Sequence, residues 1–410
     1  MTTTSTDSIL QELESKKLQL HWLLQITKAI NYNLPTEGLY EIYRSVLENH
    51  LKVGRMLLLV HDGEWRIATS YNASTESIEL GALAEDLLTY SADPAVQISI
   101  PSGFETIVPV VHQDRPLAFA LIGGVEEQMQ ALKRETVTYI HTITNVIVVA
   151  IENKRLAKES VRRAVMQREL DMAAQMQAML FPTDLVSNSM LDIAATYIPH
   201  SQVGGDYYDF IPIGDNKALV CMADVSGKGM AAALLMSNFQ ANLHALVKHT
   251  DSLPDIIREL NERVFKTAKG DRFITFFIAC IDTVNGKINY INAGHHPPLL
   301  LNNSNILPLD NGTTGLGMFD ELPFLHTGEV EYQDNALLFC YTDGVTEMED
   351  SEGVALGLDT LAELIKKHQD AESMNHMHNN MVTAFDLFRK EQEFNDDVTF
   401  LSLRLFKRLK

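Results

Sequence analysis

The sequence predicts an α+β protein of more than one domain, with a long helix joining an N-terminal α/β unit to a C-terminal unit of two packed sheets. Three observations carry this. At 410 residues the chain is too long for one ordinary domain, and 46% hydrophobic residues suffice for full cores. Residues 126–180 contain neither proline nor glycine, which reads as one or two long linking helices. Beyond them, many short apolar runs are interrupted by only two pairs of helical segments, a pattern that suits two sheets covered by helices on both sides.

In chain order, residues 7–32 read as a helix, because Leu10, Leu13, Leu20, Leu24 and Ile30 recur at helical intervals between charges. Asn33-Leu34-Pro35-Thr36 breaks it, and a second helix covers residues 37–51 with Pro35 at its start. Strands at 55–60 and 65–70 flank the hairpin turn His61-Asp62-Gly63-Glu64. A helix at 80–90, strands at 106–111 and 117–123, and a long helix from about Glu126 follow. After an N-terminal helical segment at 1–18, this order over residues 19–150 resembles a GAF-type sensor domain. The resemblance implies a small-molecule or protein signal of unknown identity. No cysteine suits a bilin and no loop suits a nucleotide phosphate, while His61 and His112 read as surface-turn histidines rather than haem ligands.

Residues 151–182 read as a coiled-coil linker helix. Val161, Val165, Met172, Met176 and Met179 keep a heptad-like spacing, which predicts a seam and a parallel homodimer. Leu170, Ala173 and Leu180 form a second apolar stripe, available to the helix's own C-terminal domain. Phe181-Pro182 ends the helix.

The C-terminal domain, 183–410, reads as strands at 191–199, 207–213 and 217–224, and helices at 229–249 and 253–269. Strands follow at 273–282, 287–293, 298–301, 325–332 and 335–341, then helices at 358–368 and 374–390 and a strand at 398–406. Aspartates recur at the strand ends. Asp343 follows the apolar run 336–340, and Gly344 permits a tight turn there. Asp224 ends the run 218–223, Asp206 precedes Tyr207, and Asp396 and Asp397 precede the last strand. An aspartate alone in a turn is ordinary. Several strand-edge carboxylates without matching lysines or arginines repel one another unless cations sit among them. An all-oxygen donor set selects hard ions, Mg²⁺ or Mn²⁺.

The ordered motifs GGDYYDF, ADVSGKG, AGHHPP, YTDGVTE and DDVT, spread over about residues 183–407, resemble the PPM-type metal-dependent protein phosphatases, in their bacterial stage II sporulation protein E-like branch. That resemblance implies an α-β-β-α sandwich, two Mg²⁺ or Mn²⁺ ions, and attack of activated water on a phosphoserine or phosphothreonine protein such as an anti-sigma-factor antagonist. Carried over residue by residue, Asp224 bridges the ions. The Val225 carbonyl and Asp206 hold one, and Asp343 and Asp396 hold the other. Asp224 and Asp343 are thus the catalytic residues, and Asp397 fits by type in place of Asp396. Asp209 reads either as an acceptor behind the ligands or as a solvated turn carboxylate. Eukaryotic members carry a histidine after the bridging aspartate's glycine, where this chain reads Asp224-Val225-Ser226-Gly227-Lys228-Gly229. No arginine aligns with a phosphate clamp, and Lys228 is either a phosphate contact or a solvent-facing lysine. His295 and His296 point to opposite faces and belong to a structural loop; Thr346 and Glu347 orient the turn after Asp343. The ending Gln175 to Pro182 resembles the helix that transmits regulation in this family.

Composition excludes other classes. With 33 Lys and Arg against 54 Asp and Glu, the formal charge of −21 disfavours nucleic acid, a nuclease activity and anionic lipid. No apolar run reaches the ~18–20 residues of a membrane span, and the polar N-terminus lacks a signal-peptide core. Cys221, Cys280 and Cys340 fit neither zinc nor a disulfide framework and suggest the cytoplasm. A diguanylate cyclase would follow Gly204-Gly205-Asp206 with Glu-Phe, not Tyr207-Tyr208. The remaining alternative is a scaffold that binds signalling partners through a phosphatase-like domain.

Overall fold

The computed structural model describes residues 3–407, apart from 74, 76–77, 93–97, 99, 113–114, 126–129, 183–184, 186, 215 and 304. It divides into two compact units, Met1–Ala164 and Val165–Lys410.

The first unit opens on α1 (Thr3–Asn31), which runs without a break through position 18, and α2 (Thr36–Ser45), which passes into a π turn at Val46–His50. Strands β1 (Val53–His61) and β2 (Trp65–Tyr71), helix α3 (Leu80–Ala92), strands β3 (Thr106–His112) and β4 (Arg115–Val125), and helix α4 (Gln130–Ala178) follow. The strands form one antiparallel sheet ordered β2-β1-β4-β3. β1 is apolar from Met56 to Val60 because both its faces are covered there. Met56, Leu58 and Val60 pack with Tyr43, Ile143 and Ile147, whereas Leu57 and Leu59 pack with Leu83, Leu87 and Phe119. The expected start of the linker helix near Glu126 lies outside the described residues.

The division between the units falls within α4. Val161, Val165, Met172, Met176 and Met179 are all exposed on it. Leu170, Ala173 and Leu180 are half-buried, and Gln177 is buried. Phe181 is buried with its ring 4.9 Å from Tyr197 and 5.0 Å from Tyr208.

In the second unit, β5 (Leu191–Ile198), β6 (Tyr207–Ile213), β7 (Lys217–Val225), α5 (Met230–Val247), α6 (Leu253–Ala268), β8 (Ile274–Asp282) and β9 (Lys287–Ala293) come first. They are followed by β10 (Leu299–Asn302), β11 (Asn305–Pro308), β12 (Gly312–Thr313), β13 (Gly328–Glu331), β14 (Ala336–Tyr341), α7 (Asp343–Thr346), α8 (Gly357–His368), α9 (Met374–Arg389) and β15 (Val398–Leu405). One sheet runs β11-β10-β14-β15-β5, the other β12-β9-β8-β7-β6 with β13 on β9. β14 shows how the layers stack. Ala336, Leu338 and Cys340 join the core shared with β7, β8 and α5; Leu337, Phe339 and Tyr341 join the core shared with α8 and α9. This is the expected mixed α+β sandwich. β11 and β12 went unpredicted because each is short and lacks an apolar alternation, and the run 325–332 shortens to β13. Among the described residues, no helix is long and apolar enough to cross a membrane.

Candidate active site

Strand register gathers the aspartates. β6 pairs antiparallel to β7 with Tyr207 opposite Ala223, which sets Asp206 beside Asp224 at one sheet end. In the other sheet, Tyr341 pairs with Phe400 and the Thr342 N–H donates to the Thr399 carbonyl at 3.0 Å, so Asp343 and Asp396 leave that sheet at the same end. A cavity of about 250 Å³ opens there, lined by Asp224, Val225, Lys228, Asp343, Asp396 and Asp397 among others.

Asp206 is 2% exposed. Its Oδ2 accepts from Thr342 Oγ1 at 2.9 Å and from Thr399 Oγ1, two hydroxyls of the opposite sheet. Burial, and then the charge of Asp224, pushes its carboxyl well above the usual range. Burial and the charges of Asp343, Asp396 and Asp397 push Asp224 up to about 7. Asp343 is raised by burial and then by Asp396.

Two sites turn out differently from the sequence reading. Asp343 does not enter a tight turn; it begins the one-turn helix α7, and the Thr346 hydroxyl donates to its carbonyl at 3.1 Å. Gly344 is needed for closeness, since a Cβ there would overlap the Asp397 carbonyl oxygen. Nor do the carboxylates lack a cation. Lys228 Nζ lies 2.8 Å from Asp396 Oδ2 and donates to the Asn395 carbonyl at 2.7 Å.

Asp396 and Asp397, interchangeable by residue type, are distinct here. Asp397 accepts the His200 N–H at 2.8 Å on Oδ1 and the Gly205 N–H at 3.1 Å on Oδ2, so both oxygens fasten the backbone around Asp206. Asp396 faces the cavity and Lys228. Asp209 is not behind the ligands: its Oδ2 accepts from Tyr207 and from His244 Nε2 at 2.6 Å. His295 is buried with Nδ1 2.9 Å from Thr275 Oγ1, whereas His296 is exposed, as opposite-facing neighbours should be.

Sequence reasoning missed three supports. Thr342 and Thr399 read as ordinary strand formers; only their place one residue from Asp343 and two from Asp397 hinted at more. Gln177 reads as a polar position on a helix, yet its amide donates to the Gly204 carbonyl at 2.7 Å and accepts the Gly204 N–H at 3.1 Å.

The donors are all oxygen, three of the carboxyls are held above their ordinary range, and one ammonium is their only paired cation among the described residues. That chemistry fits hard divalent cations. Among the described residues no three acidic, histidine or cysteine side chains already stand in a metal-holding group. Lys228 and the Asp397 N–H, at 2.8 Å from Oδ1, occupy the two oxygens of Asp396.

Two sheets between helix pairs, with carboxylates converging at their common end, define a PPM-type (PP2C) phosphatase domain. The chain belongs to the SpoIIE family of these phosphatases. A family profile described as Stage II sporulation protein E (SpoIIE) matches residues 214–406. The phosphoserine phosphatase RsbU of Bacillus subtilis (strain 168) is 30% identical over 242 residues, 58% of this chain and 70% of RsbU. The phosphoserine phosphatase RsbP of the same organism is 25% identical over 240 residues, 57% of each chain. Among solved structures, the SiaA-PP2C domain of Pseudomonas aeruginosa superposes with a TM-score of 0.52 at 18% identity, over 60% of this chain and 98% of that domain.

Proposed function

We propose that this phosphatase removes phosphate from a phosphoserine or phosphothreonine protein, using two divalent cations, Mg²⁺ or Mn²⁺, held by Asp206, Asp224, the Val225 carbonyl, Asp343 and Asp396. The observation that carries the reading is the register-set convergence of Asp224, Asp343 and Asp396 on one cavity, with Asp206 buried beside Asp224. Asp224 would lie between the ions, Asp206 and Val225 on one side and Asp343 and Asp396 on the other. Such a pair of cations neutralises phosphate oxygens and lowers the pKa of water. The chain's own part is to aim its carboxylates. Thr342 and Thr399 orient Asp206 across the sheets, and Asp397 and Gln177 fix the glycine backbone that carries it. Asp397 supports this loop, since both its oxygens accept fixed backbone N–H groups, whereas one oxygen of Asp396 is held only by the Lys228 side chain. Hydrolysis of p-nitrophenyl phosphate should require Mn²⁺ or Mg²⁺ and should be lost in Asp224→Asn and Asp343→Asn. Metal-independent turnover would end the two-ion reading.

The names of the relatives support phosphoserine, and an anti-sigma-factor antagonist is the class of substrate we favour. Incubation with candidate phosphorylated antagonists, with and without metal, tests it. The first unit, a four-stranded antiparallel sheet with helices on both faces, supports a GAF-like sensor for an unidentified signal. The exposed stripe Val161 to Met179 supports a homodimer through the linker helix, and the free thiols support a cytoplasmic site. Sensor state would act through helix packing on the site. Met172→Asp with Met176→Asp should abolish dimers and uncouple regulation; a variant that still dimerises and responds to its signal refutes the seam.

A further inference from the structure

Lys228 supplies an inference that rests on the two-ion reading above and goes beyond it. Both oxygens of Asp396 are taken: Oδ1 by the Asp397 N–H at 2.8 Å, Oδ2 by Lys228 Nζ at 2.8 Å. A backbone N–H is fixed by the strand that follows it, whereas an ammonium on a four-carbon stem is removable. We infer that Lys228 is a built-in competitor for the cation at Asp396, occupying the oxygen that the ion needs and leaving when the ion arrives.

The surroundings suit a displaceable group. The side chains of Lys228 and Asp396 are 52% and 36% exposed, and ion pairs so open to water are weak. Lys228 lies between Gly227 and Gly229, both at positive φ (88° and 77°), and nothing lies within 4 Å of where a Cβ on Gly229 would stand. The start of the loop is anchored, since Arg272 donates to the Ser226 carbonyl at 2.7 Å, so movement can be confined to Lys228 and Gly229. Asp206 is the contrast. Among the described residues it is held by no cation: the hydroxyls of Thr342 and Thr399 orient it without competing for a cation through charge. The two ion positions should therefore differ in affinity, with the Asp396 position the weaker.

Calorimetric titration of the full chain with Mn²⁺ alone, at fixed ionic strength, tests this without turnover. Wild type should show two classes of site. Lys228→Met should tighten the weaker one about two- to fivefold, the range expected for removing an exposed ion pair, and leave the tighter one unchanged. Lys228→Arg, which keeps a cation there, should stay near wild type. In an Asp396→Asn background the gain from Lys228→Met should vanish. Unchanged or weaker Mn²⁺ binding by Lys228→Met overturns the inference. So does a gain that persists in the Asp396→Asn background, which would mark a general charge effect. Wild type that binds no Mn²⁺ would bring down the two-ion reading itself, and the inference with it.

Discussion

On the inner side of the cavity, Asp206 and Asp397 are buried; apart from the neighbouring Asp224 carboxyl, they are held by threonine hydroxyls and backbone N–H groups. On the outer side, Asp343 and Asp396 are half-buried, and Asp396 is held by a charged lysine on a glycine-flanked loop. Asp224 stands between the two, feeling the charge of both. The inner carboxylates are aimed before any ion binds, because the two sheets are stitched together through them. The outer ones are held by a contact that an ion can replace. Buried charge needs fixed dipoles close by, whereas exposed charge can borrow a counter-ion.

The largest expected effects test the inner side. Asp206→Asn should lower phosphatase turnover by more than the ~10–100-fold typical of losing a residue that only supports a ligand, and raised Mn²⁺ should not restore it. Asp396→Asn should lose less and recover partly as Mn²⁺ is raised. Equal recovery of both would erase the distinction between the sides. Next come the supports. Thr399→Val keeps the shape of the side chain but removes the hydroxyl at Asp206, and Gln177→Ala frees the Gly204 peptide. Each should weaken Mn²⁺ binding about 10–100-fold, read by titration, with little change in the melting of the fold. Gly204→Ala should be worse than either, because its Cβ would overlap Asp397 Oδ2 and the Tyr197 hydroxyl.

What the sequence made legible follows the same division. Chains of apolar residues ending in aspartate revealed both strand ends, since β14 is buried on both faces and cannot hide its period. The bounds of β6 and β9 were read to the residue. The residues that hold the aspartates were not legible. A threonine in a strand is explained by β-propensity alone, so Thr342 and Thr399 offered no surplus signal. Gln177 meets Gly204 across 27 positions and Lys228 meets Asn395 across 167, separations that local patterning does not carry. Gly344 was correctly seen as special, but for a turn; the true cause, a carbonyl pressed against its Cα, exists only once β15 has docked.

The smallest effect concerns two buried histidines, one behind each sheet end. His295 meets Thr275 on β8, next to the strand that carries Asp224. His378 bridges Thr196 on β5 and Ser402 on β15, with contacts of 2.8 and 2.9 Å. Burial lowers both to about 3 from an ordinary 6.5. The folded state therefore binds fewer protons than the unfolded chain below pH 6.5. Stability from this source is present above 6.5 and drains away as pH falls. Between pH 7 and pH 5 each histidine should cost about 2 kcal/mol of folding stability. The raised carboxyls of Asp206 and Asp224 act in the opposite sense, since the folded state holds their protons more tightly, so the wild-type slope alone is ambiguous. His378→Gln resolves it. Whatever the substitution costs at pH 7, the further loss on moving to pH 5, read from urea midpoints, should be about 2 kcal/mol smaller than in wild type. An identical further loss would mean that His378 takes up its proton in the folded state without strain, and that the sheet carrying Thr399 is looser behind β15 than its packing indicates.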